Sequence, residues 1–339
     1  MARQHSNLIR MAPLQLGDLP AHPVLPLSKN ARPEVSTFVR ALLDDGIAFL
    51  DPSTFNQTFS HHSTKTSGPS AAPVEILTHT IPASEISQIT WSSSDQPITR
   101  SKPRTCGPEN WAARRSIHAD ISSKNASQPG HASWDEFVFG LRDSHSVREL
   151  EFTPSLYDAR LIVDWGEEVA ALAGRGNGEE LGPYTQPTMA IYEMCHVIPG
   201  PMMSPRCFPV LVATASVDAD RFVAVTVPVN LSAAGFDEAF YSSDRNVKEG
   251  TTATQRREVI AGVYTAVELV TRNPQKKEVE WIMATASDAK GNLPGWMQKA
   301  GVPSQIAKDV GYFMQWISTV EVGEGDTRKP ETPVASGQV

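Results

Sequence analysis

The chain has 339 residues, with 40% hydrophobic residues and a formal net charge of -8. Its mean hydropathy is -0.27, and no apolar run approaches the ~20 residues that a spanning helix needs, which excludes a bilayer-spanning role. Because the chain is acidic and Lys and Arg are not clustered, we also exclude a nucleic-acid partner. The amino-terminal residues lack the apolar core of a secretory signal, and the three cysteines show no C-x-x-C spacing. These features predict a reduced, cytoplasmic location.

The first part of the chain predicts an extension and a linker ahead of the main domain. Residues 1–51 contain one docked helix, which has Pro33 in its first turn and apolar residues at helical spacing. Residues 52–73 are rich in Ser, Thr and Pro and predict a flexible linker. The main domain then spans residues 74–321, and the charged, Pro-rich tail at 322–339 predicts disorder.

The main domain predicts an α+β fold. Strand-like segments at 74–81 and 110–120 are followed by Ser133 and Glu136, which have the spacing of a capping box at a helix start. Further strand candidates lie at 161–165, 188–198, 206–216, 221–229, 258–270 and 278–287. Pro303 then opens a long helix with a buried stripe of Ile306, Val310, Phe313 or Met314, and Ile317. This order predicts a curved antiparallel sheet wrapped on a C-terminal helix, with a hydrophobic cavity wherever the helix does not fill the concave face.

Five motifs, in the right order, resemble the fungal family catalogued as domain of unknown function 3074. They are W-A-A-R-R-S-I-H at 111–118, S-W-D-E-F-V-F-G-L at 133–141, H-S-V-R-E-L-E-F-T-P at 145–154, C-H-V-I-P-G-P-M-M-S-P-R-C-F-P-V-L-V at 195–212 and V-E-W-I-M-A-T-A-S-D-A-K-G-N-L-P-G-W at 279–296. That family belongs to the START-like, helix-grip superfamily, which includes lipid and sterol carriers and aromatic polyketide cyclases. The resemblance implies a hydrophobic-ligand pocket under a C-terminal helical lid.

Several residues are candidates for lining such a pocket. Strand alternation places Arg114, Ser116 and His118 on one face. If that face is inward, Arg114 needs a buried partner, and Glu193 is the candidate; related START-like pockets hold such a pair. The alternative places both residues on the exposed convex face. The other predicted ligand-binding residues lie on the last strand and the closing helix: Trp281, Met283, Thr285, Ala307, Gly311 and Met314.

Two histidines are candidate acid–base groups. His118 and His196 lie on strands inside family motifs, and a histidine titrates near neutral pH. Each could equally be a hydrogen-bonded structural residue. His145 and Glu149 are four residues apart and predict a surface salt bridge rather than a metal site. No motif for a cofactor, a metal or a nucleotide is present, so we predict none.

The leading hypothesis is a protein that encloses one hydrophobic small molecule: a lipid, a sterol or a polyketide-like metabolite. The alternative is an enzyme of secondary metabolism that uses the same cavity to cyclise, isomerise or dehydrate a polyketide or terpenoid intermediate. A third hypothesis is an adaptor with a closed cavity. The sequence does not define the ligand or the oligomeric state, and transient membrane contact stays compatible with it.

Overall fold

A computed structural model describes residues 6–28, 31–92, 98–103, 107–174, 180–198, 203–233, 236–291 and 295–322. Its strands are β1 (Leu14–Gln15), β2 (Ser60–Ser67), β3 (Ser70–Ile81), β4 (Glu109–Ala119), β5 (Leu156–Asp164), β6 (Thr185–His196), β7 (Arg206–Asp218), β8 (Arg221–Asn230), β9 (Ile260–Ala261), β10 (Val263–Asn273) and β11 (Glu278–Asp288). Its helices are α1 (Val35–Phe49), α2 (Pro52–Thr58), α3 (Ala83–Ile86), α4 (Trp134–Phe137), α5 (His145–Phe152), α6 (Gly166–Gly174), α7 (Arg245–Glu249) and α8 (Gly295–Ile317). Cys106, the Pro-Gly-Pro segment at 199–201 and the tail from residue 323 onward lie outside the described residues.

One curved antiparallel sheet organises the fold. Its strand order is β2-β3-β4-β11-β10-β8-β7-β6-β5, with β1 added in parallel to β8 and β9 in parallel to β7. The outer face packs against α1, and the inner face packs against α8, which contacts β2, β3 and β4. This is the predicted helix-grip arrangement, and the α+β fold class is therefore confirmed.

The two faces of the sheet carry different apolar clusters because strand side chains alternate. On β11, Ile282, Ala284 and Ala286 join the outer cluster, whereas Trp281 and Met283 join the inner one. The predicted stripe of α8 is buried against the inner face. On the outer face, α1 approaches β8 so closely that a Cβ at Gly46 would lie 2.5 Å from a methyl group of Val225.

Two helix predictions have different outcomes. Ser133 and Glu136 form the expected capping box at the start of α4. The closing helix, in contrast, begins at Gly295, and Pro303 lies inside it rather than at its start.

The prediction of a flexible linker at 52–73 is wrong. This segment forms α2, all of β2 and the start of β3, and β2 pairs with β3 at the edge of the sheet. An edge strand needs backbone partners on one side only, so Ser-, Thr- and His-rich residues can occupy it without a continuous apolar pattern. The sheet therefore starts ahead of residue 74, the boundary expected from sequence.

The extension before α1 also contacts the sheet. Arg10 and Glu109 form a buried ion pair with a 2.7 Å separation between Nη1 and Oε2. Glu109 accepts a second hydrogen bond from the backbone amide of Met11. A buried pair with additional hydrogen bonds keeps its geometry because breaking it leaves an uncompensated charge.

Candidate functional site

Arg114 lies on the inner face of β4 and is only 2% exposed. Its guanidinium carbon stacks 3.7 Å from the ring centre of Trp281, and its Nη2 lies 3.7 Å from Oε2 of Glu268. Burial lowers the pKa of Arg114, and the charge of Glu268 opposes that shift. Of the two orientations that the sequence left open for Arg114, the inward one is therefore observed, and the exposed convex-face alternative is wrong.

The predicted pairing of Arg114 with Glu193 is wrong. Glu193 lies two residues after Ile191 on β6, so its side chain shares the outer face with Ile191 and lies on the opposite face of the sheet from Arg114. Its carboxylate accepts hydrogen bonds from the backbone amides of Phe240, Tyr241 and Ser242 at 3.1, 3.0 and 2.7 Å. Glu193 thus anchors a loop, which explains how a fully buried carboxylate is satisfied without a cation.

Glu268, the actual partner of Arg114, belongs to an interior polar cluster that sequence reasoning missed. We define this interior polar cluster by six side chains from β4, β10, α5 and α8: Arg114, His145, Glu149, Tyr264, Glu268 and Asp309. Nε2 of His145 lies 3.8 Å from Oε1 of Glu268. The remaining members interact electrostatically with one another and with Glu268. The cluster lies between the sheet and the helices, and all of its members except Arg114 are only partly buried.

Burial perturbs the acids of this cluster. It raises the pKa of Glu149 to about 7, with Glu268 and Asp309 adding repulsion and His145 opposing the shift. It raises the pKa of Asp309 to about 6, with Arg114 opposing the shift. The pKa of Tyr264 also rises because of burial and the nearby carboxylates. Glu149 consequently titrates near neutral pH inside the protein, and the prediction that it forms a surface salt bridge with His145 is wrong.

The two predicted catalytic histidines lie outside this cluster. Nε2 of His118 is 2.8 Å from Oγ of Ser116, and its ring lies 5.6 Å from the ring of Phe137. Burial lowers the pKa of His118 to about 3 and the pKa of His196 to about 4. Nδ1 of His196 lies 3.2 Å from Oγ of Ser155. Both rings are therefore neutral at pH 7, in hydrogen-bonded settings.

The predicted lining residues divide into two groups. The structure places Trp281, Met283, Ala307 and Met314 in the inner cluster, and partly accessible Thr285 follows them on β11. Gly311, in contrast, does not face a cavity. Its amide donates to Oγ of Ser67 at 2.9 Å, and a Cβ there would lie 2.4 Å from the carbonyl oxygen of Gly68. Gly311 instead lets α8 pack against the turn between β2 and β3.

A cleft of about 910 Å³ lies beside the cluster, at the end of the sheet where β4 begins and β11 ends. Thr78 and Ala112 line it from the sheet, and Val302 and Pro303 line it from α8. Ser287, another lining residue, is the direct ladder partner of Tyr264 on the inner face. Opposed side chains in a ladder lie about 5 Å apart, so Tyr264 lies next to a residue that lines the cleft, although no side chain of the interior polar cluster lines the cleft itself. Its volume is in the range of small-molecule sites, about 300–1,000 Å³.

Two signals in the sequence point to the missed acids. Glu268 is the single charge in the apolar run V-Y-T-A-V-E-L-V, and Asp309 flanks the buried stripe of α8.

The described residues contain no group of three or more His, Cys, Asp or Glu side chains that could hold a metal ion. Within the described ranges, no helix is long and apolar enough to cross a membrane.

The strand order and the closing helix define the helix-grip, START-like class of fold. A family model described as a protein of unknown function (DUF3074) matches residues 111–317. That match covers more than half of the chain, so the chain belongs to this family. A comparison with curated proteins finds no match.

Solved structures with a similar fold share little sequence with the chain. Human STARD10 has 10% identity and a TM-score of 0.46, with 81% of this chain and 78% of that chain covered. Human StAR-related lipid transfer protein 5 has 10% identity and a TM-score of 0.46, with 83% and 95% covered. The STAR-related lipid transfer protein fragment from Xanthomonas axonopodis has 10% identity and a TM-score of 0.38, with 75% and 98% covered.

Proposed function

We propose that the protein binds one hydrophobic small molecule between the inner face of the sheet and α8. The observation that carries this proposal is the interior polar cluster, whose side chains keep accessible surface under the helices. Ligand pockets are mostly apolar and contain a small number of polar groups that fix the orientation of the ligand. The ligand is a lipid, a sterol or a polyketide-like metabolite, and it has an apolar body and a polar end.

The cleft beside the cluster supports this proposal by offering a route to the interior. Ser287, Thr285 and Met283 follow one another along the inner face of β11, from the cleft toward Trp281 and Arg114. Burying about 300 Å² of apolar ligand surface at about 25 cal/mol per Å² provides about 7 kcal/mol before the costs of association. Micromolar affinity therefore requires a preformed pocket.

Filling the proposed space tests the function. Ala266 is partly accessible, lies between Tyr264 and Glu268 on β10, and pairs with Thr285 and Thr226. An Ala266→Trp side chain would occupy the space in front of the cluster. We expect the affinity for the neutral fluorescent probe Nile red to fall at least about tenfold, measured by fluorescence titration.

The matched control is Ala71→Trp, because Ala71 is exposed on β3. This control should leave Nile red binding unchanged, and circular dichroism should confirm that both variants fold. If Ala266→Trp does not fold, Ala266→Leu makes a smaller change at the same position. Full Nile red affinity in a folded Ala266 variant that fills the space would contradict the proposed function.

A second candidate function is acid–base catalysis in the same space. The observation that favours it is Glu149, whose carboxyl group has its pKa raised to about 7 next to His145. A group with a pKa near the working pH serves as both proton donor and acceptor. On this alternative, the enzyme cyclises, isomerises or dehydrates a polyketide or terpenoid intermediate, and Glu149→Gln abolishes turnover while Nile red binding persists.

A further inference from the structure

The groups that face the interior space are mainly hydrogen-bond acceptors. Oε2 of Glu268 accepts from Nε1 of Trp281 at 2.7 Å, whereas Oε1 lies 3.8 Å from Nε2 of His145. That separation is too long for a hydrogen bond. Within the part of the chain that the structure describes, the carboxyl groups of Glu149 and Asp309 make no hydrogen bond to the protein. The interior thus presents several carboxylate oxygens that a ligand can use.

The ring of His145 is held in place by a backbone carbonyl group. Its Nδ1 lies 2.6 Å from the carbonyl oxygen of Leu141, and a carbonyl oxygen only accepts, so the proton sits on Nδ1. Nε2 of His145 faces Oε1 of Glu268. Tyr264 contributes a hydroxyl group close to Glu149 and Glu268.

Arg114 compensates part of the negative charge but is enclosed. Its Nε and Nη1 atoms are buried and have no hydrogen-bond partner, and its guanidinium carbon lies 3.7 Å from the ring centre of Trp281. A ligand in the interior therefore meets the more accessible carboxyl groups before these two N–H groups. The interior polar cluster thus holds three carboxyl groups, those of Glu149, Glu268 and Asp309, and one guanidinium group.

We propose that the polar end of the ligand is a protonated primary amine at the end of its apolar body, an inference that rests on the proposed function. An ammonium group supplies three donors and one positive charge, which matches the acceptors of Glu149, Glu268 and Asp309. A fatty-acid carboxylate brings a further negative charge into the same desolvated space and is disfavoured.

Proton linkage should accompany binding. An ammonium ligand lowers the raised pKa values of Glu149 and Asp309, because it favours their charged forms. The other charged or titratable groups that face them are Arg114 from β4, His145 from α5, and Tyr264 and Glu268 from β10. Amine binding should therefore release protons near neutral pH, and its affinity should rise as the pH is raised from about 5.5 to about 8.

Three probes with the same chain and different ends test the inference. Dodecylamine, dodecanol and dodecanoate are compared below their micelle concentrations by displacement of Nile red from the full chain at about pH 7.5. We expect dodecylamine to bind at least about tenfold more tightly than dodecanoate, with dodecanol between them. In Glu268→Gln and Asp309→Asn, the preference for the amine over the alcohol should shrink severalfold while alcohol binding persists.

The matched control is Glu280→Gln, because Glu280 lies on neighbouring β11 but on the opposite face from Trp281. This control removes one negative charge and should keep the amine preference. Equal or tighter binding of dodecanoate overturns the inference, and so does an amine preference that both inward-facing variants leave unchanged. If dodecanol binds without any amine preference, the amine inference falls and the proposed function stands; if no probe binds and Nile red does not bind, both fall.

Discussion

The substitution Glu149→Gln tests directly whether the carboxyl group of Glu149 is desolvated in the folded protein. The pKa of Glu149 is raised from 4.5 to about 7, mainly because burial penalises the charged carboxylate. Below the pKa of the unfolded state, the carboxyl group is protonated in both the folded and the unfolded state. Its burial then carries no cost of ionisation, and the folded state has its full stability. As the pH rises from about 4.5 to about 7, the folded protein keeps a proton that the unfolded chain releases, so stability falls across this window.

The magnitude follows from the size of the shift. One pKa unit corresponds to about 1.4 kcal/mol, so a shift of this size costs the folded protein about 3 kcal/mol above about pH 7. Coupling of Glu149 to Glu268 and Asp309 spreads part of that cost over the three acids. Glutamine has nearly the same shape and no charge, so Glu149→Gln should stabilise the protein by about 1–3 kcal/mol at about pH 8 and by less than about 1 kcal/mol at about pH 5.

Urea unfolding at both pH values measures this difference. Glu168→Gln is the matched control, because Glu168 is exposed on α6, and its free energy of unfolding should change by less than about 0.5 kcal/mol at either pH. An equal increase in the free energy of unfolding of Glu149→Gln at both pH values would refute the raised pKa of Glu149. A loss of stability at about pH 8 would refute it more strongly, because it would mean that the ionised carboxylate is well solvated or paired.

Three further substitutions test the packing of the site. Gly311→Ala should destabilise the protein by about 1–3 kcal/mol in urea unfolding, because the new methyl group overlaps the backbone at Gly68; unchanged stability would show that α8 does not pack there. Phe313→Ala should cost about 3–5 kcal/mol, since the fully buried ring stacks 5.2 Å from the ring of Phe137; a cost below 1 kcal/mol would contradict this packing. Glu193→Gln should speed hydrogen exchange at residues 240–242, because a neutral amide oxygen accepts their hydrogen bonds more weakly; unchanged exchange rates would contradict the anchoring role.

Local patterns predicted much of the fold. The alternation of β11 separated Trp281 and Met283 from Ile282 and Ala284, and the spacing on α8 identified its buried stripe. Both results follow because side-chain period decides which face is buried. The sequence of residues 52–73 predicts a linker because it has no apolar pattern. Part of this segment is nevertheless an edge strand, which is stabilised by backbone pairing with β3, and no local pattern reveals that partner.

The site was harder to predict because its members come from distant parts of the chain. The inward orientation of Arg114 was one of two open alternatives, but its partner depended on sheet order. Glu268 lies on β10, separated from β4 only by β11, whereas Glu193 lies on β6 and on the other face. Residue spacing does not reveal strand order in a sheet, so the sequence does not distinguish Glu268 from Glu193 as the partner of Arg114.

Native mass spectrometry of the full chain purified from its own host most directly tests whether the interior binds a small molecule. We expect a noncovalent adduct of one small apolar molecule, which is released on collisional activation and is lost in the folded Ala266→Trp variant. Detection of the unbound mass alone, even after incubation with a total lipid extract of that host, would contradict it.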